Sequence, residues 1–345
     1  MGKCKTAILG ASGYTGAEAV RLVLAHPNLD LRVLTGNRYA GQAYGSVYPH
    51  LAHLGLPDLV KWQDVDWNGI EVVFACLPHG ASEEVISQIL HPGLKVIDLS
   101  ADFRLKNADV YARTYKREHT SRSLLDKAVY GLTEFARDDL RTAQLVACPG
   151  CYPTASLLAI LPGLELIDPD EIIIDAKSGV SGAGRKQSQA LIYPEVAEGA
   201  HPYALGTHRH GPEIDEKLSI ATGQSVSVSF TPHLIPMNRG MIATVYVKLK
   251  SGSTVEDLRA RYVERYAREP FVFVEENGIV PHTRHVRGSN QCRIGVFADR
   301  KPGRAVIVSV IDNLTKGSSG QAVQNLNVMM GWKEDTGLEM TPAFP

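Results

Sequence analysis

The chain is 345 residues long, 44% hydrophobic and 21% charged, with a formal net charge of −1. That is an ordinary globular composition with room for two domains, and its charge balance excludes a polybasic binder of nucleic acid or anionic membrane. Its apolar runs fall short of the ~20 residues that span a bilayer, the first residues lead straight into a strand-like run, and an odd set of five cysteines fits a reducing, cytoplasmic setting.

The first predicted strand covers residues 6–9. It runs into Gly10-Ala11-Ser12-Gly13-Tyr14-Thr15-Gly16 and then a helix over about 17–25. Glycines at G-x-x-G-x-x-G spacing between a strand and a helix let backbone N–H groups approach a pyrophosphate at the helix N-terminus. A second strand follows at 29–34. NAD-specific sites put an acid at the C-terminal end of this strand. Here Asp30 lies at the opposite end, and Thr35-Gly36-Asn37-Arg38 occupy the expected one. Arg38 suits a 2′-phosphate, so NADP is expected over NAD; a solvated loop cation is the competing reading. Strands at 70–75 and 95–99, separated by a helix at 81–90, predict a parallel, doubly wound sheet with ligands beyond the strand C-termini. Pro78, His79 and residues 100–104 fall on that edge. Arg104 is a candidate anion ligand there, with an ion pair to Asp98 or Asp102 as the alternative.

Residues 147–154, Ala-Cys-Pro-Gly-Cys-Tyr-Pro-Thr, read as a strand–turn–helix elbow with Cys151 at the helix N-terminus. The unpaired N–H groups and partial positive charge of that end favour a thiolate. A lowered thiol pKa and a nucleophilic Cys151 are therefore expected, against the alternative of a buried, inert cysteine. Pro153 suits a first helical turn. Beyond the elbow the pattern changes. A strand at 171–176 leads to a loop rich in glycine, hydroxyls and cations at 177–185. Thr207-His208-Arg209-His210-Gly211-Pro212-Glu213 offers a base beside an anion clamp; two histidines two residues apart, with no third ligand nearby, make a poor metal site. Runs at 225–231, 243–249 and 305–311 predict strands of a mixed sheet. An amphipathic helix is expected at 255–267, and a final helix from 321 to about 330 is expected to return to the first domain.

In order and spacing, GASGYTG (10–16), LPHG (77–80), DLSADFRL (98–105), PGCYPT (149–154), KSGVSGAGR (177–185), HRHGPEI (208–214), FTPHLIPMNRGM (230–241) and DNLTKGSSGQAVQN (312–325) resemble N-acetyl-gamma-glutamyl-phosphate reductases, relatives of aspartate-semialdehyde dehydrogenase. The resemblance covers nearly the whole chain. It implies an α/β fold: a Rossmann-type doubly wound parallel sheet at 1–149, completed by a C-terminal helix at about 317–345, and a second α+β domain with a mixed sheet at 150–316 for catalysis and dimerisation. It implies NADPH-dependent reduction of N-acetyl-gamma-glutamyl phosphate to N-acetylglutamate 5-semialdehyde in arginine biosynthesis, through a thioester on Cys151. His210 is expected as the acid/base, with His208 as the second choice. Cofactor contacts are assigned to Gly10, Ser12, Gly13, Tyr14, Thr15, Gly16, Arg38, Ser181, Gly182 and Asn313. Substrate contacts are assigned to Arg104, Arg185, His208, Arg209 and Glu213. A homodimer or homotetramer is expected, without a metal, nucleic acid or membrane.

Two positions depart from the family pattern: Cys148 stands where Asn is common, and Thr133 where Pro is common. Cys148 reads either as a resolving thiol for an oxidised Cys151 or as packing, and packing is preferred. The competing functions are a sibling reductase of aspartyl or aminoadipyl phosphate, a non-catalytic NADP-binding module, and thioredoxin-like use of Cys-Pro-Gly-Cys. The nucleophile with its base argues against the second, and the dinucleotide loop against the third.

Overall fold

The computed structural model describes residues 2–185 and 187–344, and the chain divides into two units, Met1–Pro149 with Ser318–Glu339, and Gly150–Gly317 with Met340–Pro345. The first unit is built on seven strands: β1 (Cys4–Leu9), β2 (Leu29–Thr35), β3 (Leu59–Val60), β4 (Val72–Ala75), β5 (Lys95–Asp98), β6 (Val129–Tyr130) and β7 (Leu145–Ala147). All pair in parallel, in the order β3-β2-β1-β4-β5-β7-β6. Six helices connect them: α1 (Tyr14–Ala25), α2 (Tyr44–Val47), α3 (Ser82–Ile89), α4 (Ala108–Tyr115), α5 (Arg122–Lys127) and α6 (Thr133–Thr142). The sequence of β4, Val-Val-Phe-Ala, is a continuous apolar run because all four residues are buried. Its neighbours bury Ala7, Leu9, Val73, Ala75, Val96 and Leu145 in one core with Ile86 and Ile89 of α3. Strand order reverses between β1 and β4, and β1 ends there on Gly10. That glycine has φ +71°, and an added Cβ would run into the Cys76 carbonyl, so the loop keeps its path only without a side chain.

The second unit opens with α7 (Cys151–Ile160) and contains β8 (Ile173–Gly179), α8 (Tyr193–Val196), β9 (His201–Pro202), α9 (His210–Thr222), β10 (Ser229–Ile235), β11 (Met241–Lys248), α10 (Val255–Tyr266), β12 (Val272–Val274), β13 (Cys292–Ala298) and β14 (Arg304–Ile311). Its sheet runs β12-β13-β14-β11-β8-β10-β9 and is mixed, with β10/β8 and β12/β13 parallel and the remaining pairs antiparallel. Helix α7 packs on β11, β14 and α9 and is buried from Tyr152 to Ile160. A helix covered on every side is apolar all round rather than striped. At its C-terminal end α10 supplies phenols to the orphan carbonyls: Tyr266 donates to Leu158 O at 2.6 Å, and Tyr262 to Ala159 O. The start of α10 is closed by a capping box between Thr254 and Asp257.

The chain then returns to the first unit as α11 (Gly320–Met329), which packs against α1, α6 and β5. This helix stops well short of residue 345. Residues 330–339 form turns instead, held by Asn327 Nδ2 donating to Glu334 O and Thr336 O, both at 2.9 Å. The strand expected at 225–231 also moves, to β10. Residues 226 and 228 are not in the sheet because their N–H groups bond back to α9, to Ser219 Oγ and Asp215 Oδ1 at 2.9 Å each.

The two departures from the family pattern meet at one side chain. Asn325 accepts the Thr133 hydroxyl at 2.7 Å and donates to Cys148 Sγ at 3.5 Å. Cys148 is 1% exposed and fills a packed position, and no cysteine among the described residues is in a disulfide. Among the described residues no helix is long and apolar enough to cross a membrane.

Candidate active site

Cys151 is the first residue of α7, at the helix N-terminus where the elbow is expected to put it. The helix begins on extended Gly150 with no side-chain cap, so first-turn N–H groups keep their partial positive charge beside the thiol. Pro153 lies within this turn, where it removes no intrahelical bond. Gly150 gives its own N–H to Glu213 Oε1 at 2.9 Å. Glu213 is 1% exposed and sits in the first turn of α9, so one buried carboxylate ties the starts of α7 and α9 together. His210 opens α9 and lies against Gly150; a Cβ at residue 150 would collide with its imidazole. Gly317 also comes close, since a Cβ there would stand 2.9 Å from that of Cys151.

His208 supports His210 from behind. Its Nδ1 accepts the His210 backbone N–H at 3.1 Å. Its ring makes edge contacts with Tyr152, Tyr203 and Phe230 at centroid distances of 5.5, 5.3 and 5.4 Å. Burial, and then the charge of Arg209, push its pKa down to about 4. It is therefore a neutral imidazole at neutral pH, with Nδ1 unprotonated, as its acceptor role requires.

In the first unit the 10–16 loop leaves β1 and enters α1 on Gly13, again with no side-chain cap. The end of β2 anchors it: Gly10 N–H donates to Thr35 Oγ1 at 3.1 Å and Ala11 N–H to Thr35 O at 2.8 Å. Three hydroxyls take its carbonyls. Tyr44 donates to Ala11 O at 3.2 Å, Tyr48 to Ser12 O at 2.9 Å and Gly13 O at 3.1 Å, and Ser319 to Thr15 O at 2.9 Å. A Cβ on Gly36 would stand 3.3 Å from Ser12 Oγ, so Ser12 adjoins the end of β2 that carries Arg38. Arg38 is exposed and lies over the Tyr39 ring at 5.6 Å. Tyr14 is exposed, Thr15 half-buried and Gly16 buried in the first turn of α1. These residues fit a dinucleotide. Around Gly13 an added Cβ would have only Gly10 O within 4 Å, at 3.6 Å, and the first-turn N–H groups of α1 have no intrahelical acceptor.

Several expected ligands have other work in the structure. Arg104 is 6% exposed, and its guanidinium donates to Cys148 O at 2.7 Å and Leu99 O at 2.8 Å, bracing carbonyls at the sheet's C-terminal edge. Asn313 accepts Gly240 N–H at 2.8 Å and donates to Ser181 Oγ at 2.9 Å, while Ser181 donates to Asn238 O at 2.6 Å. Asn313 and Ser181 thus stitch the loop after β8 to the turn before β11. Glu213 and His208 have the internal partners given above. Gly182, Arg185 and Arg209 are exposed. Among the described residues no group of three His, Cys, Asp or Glu side chains is placed to hold a metal ion. Sequence reasoning misses Tyr44, Tyr48, Ser319, Gly317 and the Tyr152–Tyr203–Phe230 cage. The one visible signal was the pair of tyrosines a helical turn apart.

Models of the semialdehyde dehydrogenase NAD binding domain and dimerisation domain match residues 5–143 and 151–313. An N-acetyl-gamma-glutamyl-phosphate reductase from Rhodospirillum rubrum is 53% identical, over 99% of each chain. The chain belongs to the N-acetyl-gamma-glutamyl-phosphate reductase family. A probable chloroplastic reductase of the same name from Arabidopsis thaliana is 52% identical over 98% of this chain and 84% of its own. The reductase fold extends further. Aspartate semialdehyde dehydrogenase II of Vibrio cholerae superposes with a TM-score of 0.73 at 16% identity, covering 96% of this chain and 99% of that one. The Candida albicans enzyme, solved with NADP, gives 0.71 at 13%, covering 95% and 98%. As a member of this reductase family the chain is an oxidoreductase of amino-acid biosynthesis, with a Rossmann domain for a nicotinamide dinucleotide and a second domain of the dimerising type.

Proposed function

We propose that the chain reduces N-acetyl-gamma-glutamyl phosphate to N-acetylglutamate 5-semialdehyde with release of phosphate, and that Cys151 carries the acyl group as a thioester. The observation that carries this reading is the placement of Cys151 at an uncapped helix start with the His210 ring against the preceding glycine. The thiolate attacks the acyl carbon, the bond to the phosphate oxygen breaks, and phosphate leaves with that electron pair. Backbone N–H groups of the first turn of α7 hold the oxyanion as it forms. A nicotinamide dinucleotide, held by the loop of residues 10–16, would supply the hydride that reduces the thioester carbon. The resulting tetrahedral alkoxide then collapses to the aldehyde, the C–S bond breaks, and the Cys151 sulfur leaves as a thiolate that can take its proton back from His210. His210 takes the thiol proton at the start and returns a proton when the sulfur leaves. His208 and Glu213 keep His210 and Gly150 in register for these transfers.

NADP is the preferred dinucleotide in this reading, with Arg38 and Ser12 toward the 2′-phosphate and the loop of residues 10–16 holding the pyrophosphate; the Candida relative solved with NADP supports it. The two units serve as the NADP domain (1–149 with the C-terminal helix) and the catalytic and dimerisation domain (150–316). We take the working form to be a cytoplasmic homodimer or homotetramer. The test is phosphate-dependent NADP reduction with N-acetylglutamate 5-semialdehyde, run beside aspartate semialdehyde. Faster turnover of the acetylated substrate is expected, and equal or preferred use of aspartate semialdehyde would overturn the substrate assignment.

A further inference from the structure

We infer that Tyr48, with Tyr44 and Ser319, positions the dinucleotide loop by drawing its carbonyl oxygens away from the face that receives the pyrophosphate; the inference rests on the reading of residues 10–16 as the dinucleotide site. The loop carbonyls of Ala11, Ser12 and Gly13, and that of Thr15 in the first turn of α1, accept from side-chain hydroxyls, with Gly13 O also accepting the Ala17 N–H of the helix at 2.9 Å. The donors come from two places in the chain, the short helix α2 and the residue preceding α11. Tyr48 does the most, since one phenol spans two consecutive carbonyls at 2.9 and 3.1 Å.

The consequence is electrostatic. A glycine-rich loop presents carbonyl oxygens as readily as N–H groups, because glycine leaves the peptide planes free to turn. An oxygen facing a pyrophosphate repels it; an N–H facing it binds it. Fixing the carbonyls on neutral donors orients the opposite edge of each peptide toward the anion before it arrives, and preorganisation of this kind tightens binding by lowering the ordering cost. Tyr44 opens α2 and Tyr48 is the residue that ends it, with its N–H on Tyr44 O, and the two rings contact each other at 5.2 Å as both phenols reach the loop. The rigid pair is a better donor platform than two loop serines.

The experiment compares Tyr48→Phe, Tyr44→Phe and Ser319→Ala with the parent chain. NADPH affinity is read by protein fluorescence, amide hydrogen exchange of residues 11–16 is read in the cofactor-free protein, and the rate of Cys151 alkylation serves as the control. Loss of one bridging hydroxyl in Tyr48→Phe is expected to weaken NADPH about three- to tenfold, to speed exchange across the loop, to raise KM for NADPH with little change in kcat, and to leave alkylation within about twofold of the parent. The other two variants are expected to show smaller effects of the same kind, and they carry the test if Tyr48→Phe folds poorly. If the variants fold and bind NADPH like the parent, with unchanged loop exchange, the hydroxyls are packing groups and the inference fails while the dinucleotide reading stands. If the parent itself does not bind NADPH, the dinucleotide reading fails, and the inference with it.

Discussion

Among the described residues two α-helices start on a glycine with no side-chain cap, α1 on Gly13 and α7 on Gly150. Both keep the exposed N–H groups and partial positive charge that most helices hide with a serine or an aspartate. They differ in what surrounds the bare end. At α1 the neutral hydroxyls of Tyr44, Tyr48 and Ser319 hold the carbonyls around the helix start, and in the proposed reading that start receives an anion. At α7 the chain supplies its own nucleophile, Cys151, and the preceding N–H is already spent on the Glu213 carboxylate. A half-buried imidazole, that of His210, leans on the same glycine. In the proposed reading the same local element serves recognition in one unit and chemistry in the other, with different neighbours around each start.

The comparison breaks most visibly at Cys151. Cys151→Ser is expected to lower turnover by at least about a thousandfold, since the hydroxyl replaces the thiolate the mechanism needs, while NADPH affinity stays at the parental value. Steady-state kinetics and a binding titration on one preparation check both halves. His210→Asn is expected to cost about a hundred- to ten-thousandfold in turnover, again without weakening NADPH. Gly150→Ala should resemble it, because the new methyl displaces the imidazole. A loss confined to His208→Asn would transfer the acid/base role to His208. On the α1 side, Arg38→Ala is expected to reduce the NADPH-to-NADH efficiency ratio by about tenfold, with alkylation of Cys151 unchanged; an unchanged ratio would remove Arg38 from the 2′-phosphate.

The smallest expected effect concerns stability and pH. His208 is held neutral in the fold, with a pKa of about 4 against 6.5 for an unperturbed histidine. Between those values the unfolded chain binds a proton that the folded chain does not, so stability falls as pH drops from about 6.5 to about 4. A Tm series through that range should decline in the parent, and the decline should be shallower in His208→Phe. Equal slopes would show that other groups govern acid lability.

Much of this was legible in the sequence, for identifiable reasons. The strand–glycine–helix spacing of residues 4–25 encodes the α1 start locally, as does the parallel alternation that follows it. The α7 start is legible as an elbow, with Cys151 at the helix N-terminus and Pro153 in the first turn, where its missing N–H is not needed. The partners of these two ends are not legible. Glu213 and His208 read as substrate ligands from their place in the 208–214 motif, and the structure gives each an internal partner that spacing does not show, the Gly150 and His210 N–H groups. Arg104 reads as an anion ligand, but the Cys148 and Leu99 carbonyls take its donors. The boundary of β10 is misplaced because Asp215 and Ser219 capture the backbone before it. Some of these contacts join residues far apart in the chain, Gly150 with Glu213 and Arg104 with Cys148, and spacing carries no information about those.

The central claim is that Cys151 carries the acyl group. The direct measurement is intact-protein and peptide mass spectrometry after mixing the enzyme with N-acetyl-gamma-glutamyl phosphate in the absence of any nicotinamide dinucleotide. One equivalent of an N-acetylglutamyl adduct is expected on the peptide bearing Cys151, removable by hydroxylamine, formed together with one equivalent of phosphate and absent from Cys151→Ser. Phosphate release without an adduct on the parent chain, or an adduct that persists in Cys151→Ser, would contradict the account.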